Sequence, residues 1–384
     1  MLGKEMENLL ATDDSTGLIH EDDECYQQKL DLFALVDAPE KQLIKGKYVR
    51  SPYSNSIGTI DLIPRFKRGE NAIVPVSELV GKKLKIENRY RIGRNELVCQ
   101  IQPAVIERTV NGEKVEFYAY PGDREDLTEK LLFLIASNRG LSKIRMPGGV
   151  DRFGIYFSLY EIREELKKLG KTRSYDVIRE SLIVIRDSRT NISQIDGTRS
   201  ITITHDIFAD AILEVSGSGR GRDRCSITFS DYVIEQIQLL NYRQYPFASI
   251  NSHPSPLSRF IHSYLTNNWT NAANGVTRQL FVNEVFEAFG KDHLTDAVKR
   301  RDMRTGLAIL VKAGWFTNVP YSQKMLKNGK QEHYYELTPT EVFVEEVIRA
   351  NAKKKGLRII DDKVRTDPGF TLPAQKGRLS VDLK

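Results

Sequence analysis

Seven basic side chains carry the chemistry this sequence offers most plainly: Lys299, Arg300, Arg301 and Arg304 in one run, and Lys324, Lys327 and Lys330 in another. Arg300 and Arg304 are four apart, so in a helix they stand one turn apart on a shared face. An arginine on such a face can donate two hydrogen bonds to the major-groove edge of guanine, and lysines on a nearby loop can neutralise phosphates. A basic helix face standing alone is as readily a solvated surface. Its meaning depends on what surrounds it.

Other chemistry is poorly supported. Gly170-Lys171-Thr172 has the ending of a phosphate-binding loop, but Glu165 stands where the first glycine is required. In GSGRGR the glycines fall at 217, 219 and 221, which misses the dinucleotide-binding spacing. The six histidines are scattered, and the acidic pairs Asp13-Asp14 and Asp22-Asp23 lie in a leader with nothing to fix their geometry. We therefore expect no catalysis, no metal site and no cofactor.

The basic runs sit within a grammar that occurs twice, from Asp126 to Ile203 and from Pro256 to Leu337: helix, helix, arginine-bearing helix, two-stranded hairpin. In the first stretch LTEKLLFLIASN precedes a strand at Ile155 to Phe157. Ser158 with Glu161 then forms a capping box that starts a helix ending at Gly170. Ser174 begins a third helix, to about Arg186, with Ile178, Leu182 and Ile185 on one stripe and Arg179 and Arg186 on another. Asn191 to Ile195 and Ser200 to Thr204 flank Asp196-Gly197, a hairpin signature.

The second stretch predicts helices over Leu257 to Trp269, Thr277 to Phe289 and about Leu294 to Ala313, closed by Gly290 and Gly314. A hairpin pairs Trp315 to Tyr321 with Glu332 to Leu337. Its tip holds Lys324, Lys327 and Lys330 around Asn328-Gly329.

The fold class expected is α+β: two tandem winged helix-turn-helix domains with a disordered acidic leader and a small β-rich extension. Residues 1–40 form the leader, 41–122 the extension, 123–245 the first winged unit, 246–340 the second, and 341–384 a terminal helix and flexible basic tail. In the extension, Glu96 to Ile101 and Val115 to Tyr120 alternate, with Asn111-Gly112 as a turn. Between the units, a glycine and arginine loop at Gly217 to Arg224 leads to a strand at Ser226 to Phe229 and a helix from Asp231 to Leu240. The terminal helix is expected to start around Thr338, Pro339 and Glu341 and to end near Lys353 to Lys355.

Charge is segregated along the chain. Residues 1–40 hold 11 acidic residues against Lys4 and Lys29, a net of −9, so with a total of +6 the remaining 344 residues carry +15. A polyanion-binding body with an acidic leader fits that division. No apolar run approaches the ~20 residues that span a bilayer. Cys25, Cys99 and Cys225 lie far apart, with neither zinc spacing nor an even disulfide set, and fit a reducing cytoplasm. Aromatic content of 9% gives no sign of a stacking platform for single strands.

From Asp126 to Leu337 the sequence resembles the plasmid replication initiators of the TrfA and RepA type. FSLYEIREELKKLG, Phe157 to Gly170, resembles the family's first-unit segment, and LTDAVKRRDMRTGLAILVKAGWF, Leu294 to Phe316, its second-unit basic helix and following strand. In the leader QKLDLF, comprising Gln28, Lys29, Leu30, Asp31, Leu32 and Phe33, resembles the peptide by which several replication proteins bind the bacterial sliding clamp. It departs from that peptide in the Lys29 between Gln28 and Leu30. The same leucine and phenylalanine cluster also suits docking on the chain's own domain.

The resemblance implies a bacterial initiator that binds direct repeats at a plasmid origin, helps open an adjacent A·T-rich segment, and recruits the host initiator, helicase and clamp. It implies an inactive homodimer that yields DNA-binding monomers, and leaves open single-stranded origin DNA as a further partner. Carried onto this chain, it gives base readout to Lys299, Arg300 and Arg304 and phosphate contacts to Arg301, Lys324, Lys327 and Lys330. Backbone or neighbouring-groove contacts go to Arg173, Arg179 and Arg186. Arg301 equally suits a surface ion pair with Asp302. Val177, Ile183 and Val184, beyond the first unit's core stripe, suggest a surface shared with another subunit.

Two further classes share these features. A winged-helix transcriptional regulator uses the same groove contacts without a clamp peptide. A partition or scaffold protein binds DNA without sequence preference and recruits partners through its leader.

Overall fold

The structure is a computed structural model and describes residues 30–34, 43–44, 47–48, 53–69, 72–79, 81–92, 95–146, 149–196, 199–204, 206–213, 224–325, 329 and 331–366. Helices and strands mix throughout. Most of the expected leader, the Asp196-Gly197 turn, Lys327, Lys330 and the chain beyond Thr366 lie partly or wholly outside the described residues.

The amino-terminal strands are β1 (Leu43–Ile44), β2 (Lys47–Tyr48) and β3 (Tyr53–Ser56), followed by a single helical turn, α1 (Gly58–Asp61), and by β4 (Ile73–Pro75). Two hairpins follow: β5 (Ile86–Ile92) with β6 (Asn95–Gln102), and β7 (Ala104–Val110) with β8 (Glu113–Ala119). Asn111 and Gly112 join β7 to β8 with φ of 53° and 86°, the doubly positive geometry of a two-residue hairpin turn, which the Asn-Gly dipeptide favours.

Next come α2 (Asp123–Arg139), β9 (Ser142–Arg145), β10 (Asp151–Ser158), α3 (Leu159–Lys168) and α4 (Tyr175–Asp187). Leu131 to Ala136 are consecutively buried, so this stretch of α2 is apolar all round and runs through the core. Its amino-terminal end buries charge in compensated form. Arg65 grips Glu129 through two hydrogen bonds of 2.7 and 2.5 Å, and Arg68 reaches Asp123 and Asp126 at 2.6 and 2.8 Å.

Ser158 caps α3 by accepting from the Glu161 amide at 3.2 Å, while the Glu161 carboxylate pairs with Arg139. Ser174 caps α4 in the same way through the Val177 amide at 3.3 Å. The remaining strands are β11 (Arg189–Asp196), β12 (Arg199–Thr204), β13 (Phe208–Leu213) and β14 (Arg224–Phe229), with α5 (Asp231–Gln238) and β15 (Arg243–Pro246) completing this part.

The expected first wing, β11 with β12, does form, in the register Asn191↔Thr204. It does not project alone. β11 also pairs with β6, giving the sheet order β12-β11-β6-β5, so strands on both sides of residue 122 share one sheet.

Residues 30–33 form a helical turn whose Leu30, Leu32 and Phe33 are 0% exposed and belong to the same core as α2, α3 and α4. Phe33 meets Tyr242 edge-on at 4.9 Å, and Asn55 donates to the Phe33 carbonyl at 2.6 Å. This corrects the reading of a clamp peptide carried on a free tether. The apolar side chains that would enter a partner's pocket are seated in the chain's own core. Gln28 and Lys29 lie outside the described residues.

The second part comprises a short α6 (Phe247–Asn251), then α7 (Pro256–Asn268), β16 (Arg278–Phe281), α8 (Val282–Phe289), α9 (Asp296–Lys312), β17 (Phe316–Asn318), β18 (Tyr321–Met325) and β19 (Gln331–Pro339). The helix expected from Thr277 begins only at Val282. Arg278 to Phe281 pair with β19 as a strand, with Leu280 opposite Tyr335. The hairpin is β18 with β19, Tyr321↔Tyr335 to Met325↔Gln331, while β17 joins the opposite end of β19. Pro320, which has no amide hydrogen to donate, separates the two short strands.

The last helix, α10 (Glu341–Thr366), starts after Thr340, whose hydroxyl accepts from the Phe343 amide at 3.5 Å. Pro339 is the last residue of β19 and not part of the helix. The expected stop near Lys353 to Lys355 is wrong: α10 continues through Gly356. Glycine inside a helix costs about 1 kcal/mol relative to alanine, a cost outweighed here because Leu357 is buried and Ile360 packs on the first core.

At its other end α10 sends Phe343 and Val347 into the second core. Midway, Arg243 donates to Asn351 at 2.7 Å, and the Arg349 guanidinium lies 3.2 Å over the Tyr53 ring. α10 thus bolts the two cores together. At another junction Gly290, left-handed at φ 78°, ends α8 against Pro64 and Asn88, and Arg68 stacks on Phe289 at 5.0 Å.

Candidate nucleic-acid interface

α9 is set by its inner face. Met303, Leu307 and Leu310 are fully buried against α7 and α8, and Gly306 permits close approach to Leu257 and Ile261. The opposite face presents Arg301, Arg304, Thr305 and Ala308 to solvent, with Arg300 half-exposed at its border.

The β18–β19 hairpin is fixed beside this face by three aromatic residues. The Tyr335 hydroxyl donates to the Arg300 carbonyl at 3.2 Å, and Arg300 donates through Nη1 to the Tyr321 hydroxyl oxygen at 3.4 Å. Tyr321 in turn bonds His333 Nδ1 at 2.7 Å, and its ring lies 5.5 Å from that of Tyr335. Burial raises the Tyr335 phenol above its ordinary pKa, with Arg304 and Arg300 pulling the other way, so the hydroxyl stays protonated as a donor. Tyr321, His333 and Tyr335 were not singled out in the sequence. His333 and Tyr335 alternate along β19 and Tyr321 stands opposite Tyr335 on β18, relations visible only once the register is known.

The predicted contact residues separate on this surface. Arg300 and Arg304 remain available, with Arg300 also donating to the Asp296 carbonyl at 3.2 Å. Arg301 makes the alternative contact, an ion pair with Asp302 at 3.0 Å, at 66% side-chain exposure. Lys299 is 6% exposed and donates to the Asn283 side-chain oxygen at 3.2 Å, so it faces α8 and not a groove. This corrects its assignment to base readout. Lys324 lies on the hairpin, 3.2 Å from Glu332 and 4.2 Å over the Phe281 ring.

α4, the corresponding helix of the first part, is differently placed. Val184 is fully buried with Ala104, Ile106 and Ala119, and Ile183 and Phe117 pack against that cluster. Glu180 receives two hydrogen bonds from Arg108, at 2.8 and 2.7 Å, and an ion pair from Arg124 at 2.8 Å. Of the apolar excess read as a subunit surface, Ile183 and Val184 are therefore covered by β7 and β8 of the same chain, while Val177 is half-buried near the start of α4. Arg179 pairs with Asp176 at 2.9 Å and Arg186 with Asp187 at 2.5 Å, while Arg173 is exposed before α4. α4 is a packed helix whose Arg179 and Arg186 pair with acidic neighbours on the same helix.

Solved structures resemble the chain only loosely. The selenomethionine derivatives of domains 2 and 3 of RctB give a TM-score of 0.46 at 14% identity, covering 76% of this chain and 99% of that one. A second structure of RctB domains 2–3 gives 0.44 at 12% identity, with the same coverage. Pi initiator protein in complex with iteron DNA gives 0.40 at 12% identity, over 57% of this chain and 91% of that one. No family model matches the chain, and no curated protein matches it.

Among the described residues no helix is long and apolar enough to cross a membrane, and no group of three or more histidine, cysteine or acidic side chains is placed to hold a metal.

Proposed function

We propose that the protein binds double-stranded DNA through its second part, a winged helix-turn-helix reader with α9 in the major groove and the β18–β19 hairpin along the phosphate backbone. The observation that carries this reading is the geometry of α9. One face is anchored by Met303, Leu307 and Leu310, and the other presents Arg300 and Arg304 beside a hairpin bearing Lys324. A helix so held offers arginine donors at the spacing that reads base edges, with hairpin cations against flanking phosphates.

Within that reading we propose a plasmid replication initiator that recognises repeated origin sites. Support comes from the segments Phe157 to Gly170 and Leu294 to Phe316, which form α3 with its flanks and α9 with its flanks. Origin opening and recruitment of a host initiator and helicase belong to the same proposal. The first part is proposed to act as a scaffold fixed to the reader by α10, in place of a second reading head.

Burial of Leu30, Leu32 and Phe33 favours a second reading, a transcriptional regulator, because it withdraws the feature that set an initiator apart. Footprinting on the DNA flanking the protein's own gene decides between them. An initiator protects several evenly spaced direct repeats, a regulator one palindrome, and uniform protection along the fragment rejects both.

A further inference from the structure

A cleft of about 260 Å³ lies where the two parts meet, between the first turns of α2, α4 and α7 and the loop that follows α3. Lys171, Arg173 and Arg259 line it. Their partners are backbone carbonyls: Lys171 donates to His253 at 3.4 Å, Arg173 to Thr172 at 3.3 Å, and Arg259 to His253 and Pro254 at 3.0 and 3.4 Å. No carboxylate among the described residues pairs with any of the three.

The other charges at the cleft are already spent. Asp123 is held by Arg68, and Arg124 by Glu125 and Glu180. What remains is a concentration of positive charge in which Arg259 is only 5% exposed. Burial first, then Arg259 and Arg173, push the Lys171 ammonium down to about 8 against the opposing pull of Asp123, so the cations outweigh the one carboxylate that lines the cleft. α7 opens on the cleft with Pro256, and its cap residue Ser255 makes no side-chain cap hydrogen bond, so first-turn amides there are not satisfied by that side chain.

We propose that this cleft binds a phosphate group, gripped by Lys171, Arg173 and Arg259 at the junction of the two parts. Planar guanidinium forks and a point-charge ammonium around one concavity match the oxygens of a phosphate, and bound phosphate relieves the mutual repulsion of the cations. The phosphate arrives either on a small free anion or as a backbone diester of DNA crossing the junction. This site is independent of base reading by α9, so either proposal can fail while the other stands.

The test titrates the full chain by calorimetry with inorganic phosphate and, separately, with a random-sequence DNA duplex, comparing wild type with the double variant Lys171→Gln, Arg173→Gln. Saturable phosphate binding, weakened at least about tenfold in the variant, establishes the site and a free anion as its ligand. No phosphate binding, but a weaker duplex complex whose salt slope falls by about two, establishes a DNA phosphate instead. Unchanged affinity for both probes overturns the proposal.

The single variant Arg173→Gln, at an exposed position before α4, covers a double variant that fails to fold. Its affinity for whichever probe binds wild type must fall, and an unchanged affinity for that probe overturns the proposal.

Discussion

The Tyr335 hydroxyl donates to the main-chain carbonyl of Arg300 at 3.2 Å, so the strand that forms the hairpin holds the helix that bears the arginines. The bond ties the direction of Arg300 to the position of Lys324 on the neighbouring strand. Tyr335→Phe removes it with little change in volume. We expect a stability loss of about 0.5 to 1.5 kcal/mol, and a larger fractional loss of binding to a preferred DNA site than to random duplex, because only the former needs the arginines in register. Equal losses on the two DNAs would deny the coupling.

Lys299→Met separates packing from recognition. The methionine keeps the aliphatic stem in place but leaves the Asn283 side-chain oxygen without its donor. The expected outcome is a loss of stability of about 0.5 to 1.5 kcal/mol, the net worth of one hydrogen bond to a part-buried acceptor, with the preference for a specific DNA site retained. Selectivity that falls while the urea midpoint holds would return Lys299 to the reading surface.

Phe33→Ala examines the docked amino-terminal turn. A residue on a free tether tolerates truncation within about 0.5 kcal/mol, whereas a fully buried phenylalanine against Tyr242 costs about 3 to 5 kcal/mol. Urea denaturation of the full chain should show the larger value, and an unchanged midpoint would mean that the turn is not seated in solution.

His253 and His262 sit 3.0 Å apart, nitrogen to nitrogen, at the junction of the two parts. Burial, with Arg259 and Lys171 nearby, holds His253 down to about 4, and His262 lies well below its ordinary value for the same first reason, burial. Both are neutral in the fold and protonate more readily once unfolded. Stability is thus fully present above the unfolded value near 6.5 and falls as pH drops towards 4. The urea midpoint should fall more steeply between pH 7 and 4.5 for wild type than for His253→Gln, and parallel profiles would refute the pair as the source.

The second part was largely legible because its signals are local. The apolar stripe of α9, Gly290, Gly314 and the alternation along Glu332 to Leu337 each act within a few residues. Its misreading before α8 is not local in origin: Arg278 to Phe281 carry no helix-breaking residue, and only pairing with β19, more than 50 positions later, makes them a strand.

The first part failed at longer range. Ile183 and Val184 marked an apolar excess on α4, but no periodicity states whether such a face meets a second subunit or β7 and β8 of the same chain. Gly356 looked like a stop because the burial of Leu357, which outweighs its cost, depends on a core built from residues more than 100 positions earlier. Leu30, Leu32 and Phe33 posed the same ambiguity, since a linear docking peptide and a core segment share one composition. For the contact residues, charge was legible and direction was not: Lys299 and Arg300 are adjacent in sequence and face opposite environments.

The central claim is that Arg300 and Arg304 read bases while the hairpin holds phosphates. It is tested most directly by the ratio of affinities for a footprinted site and a random duplex, measured for wild type, Arg300→Ala, Arg304→Ala and Lys324→Ala. The account predicts that each arginine variant loses about 1 to 3 kcal/mol of that preference. Lys324→Ala should weaken both duplexes alike and lower the salt slope by up to about one, the Glu332 pairing accounting for any shortfall. An unchanged ratio in both arginine variants would contradict it.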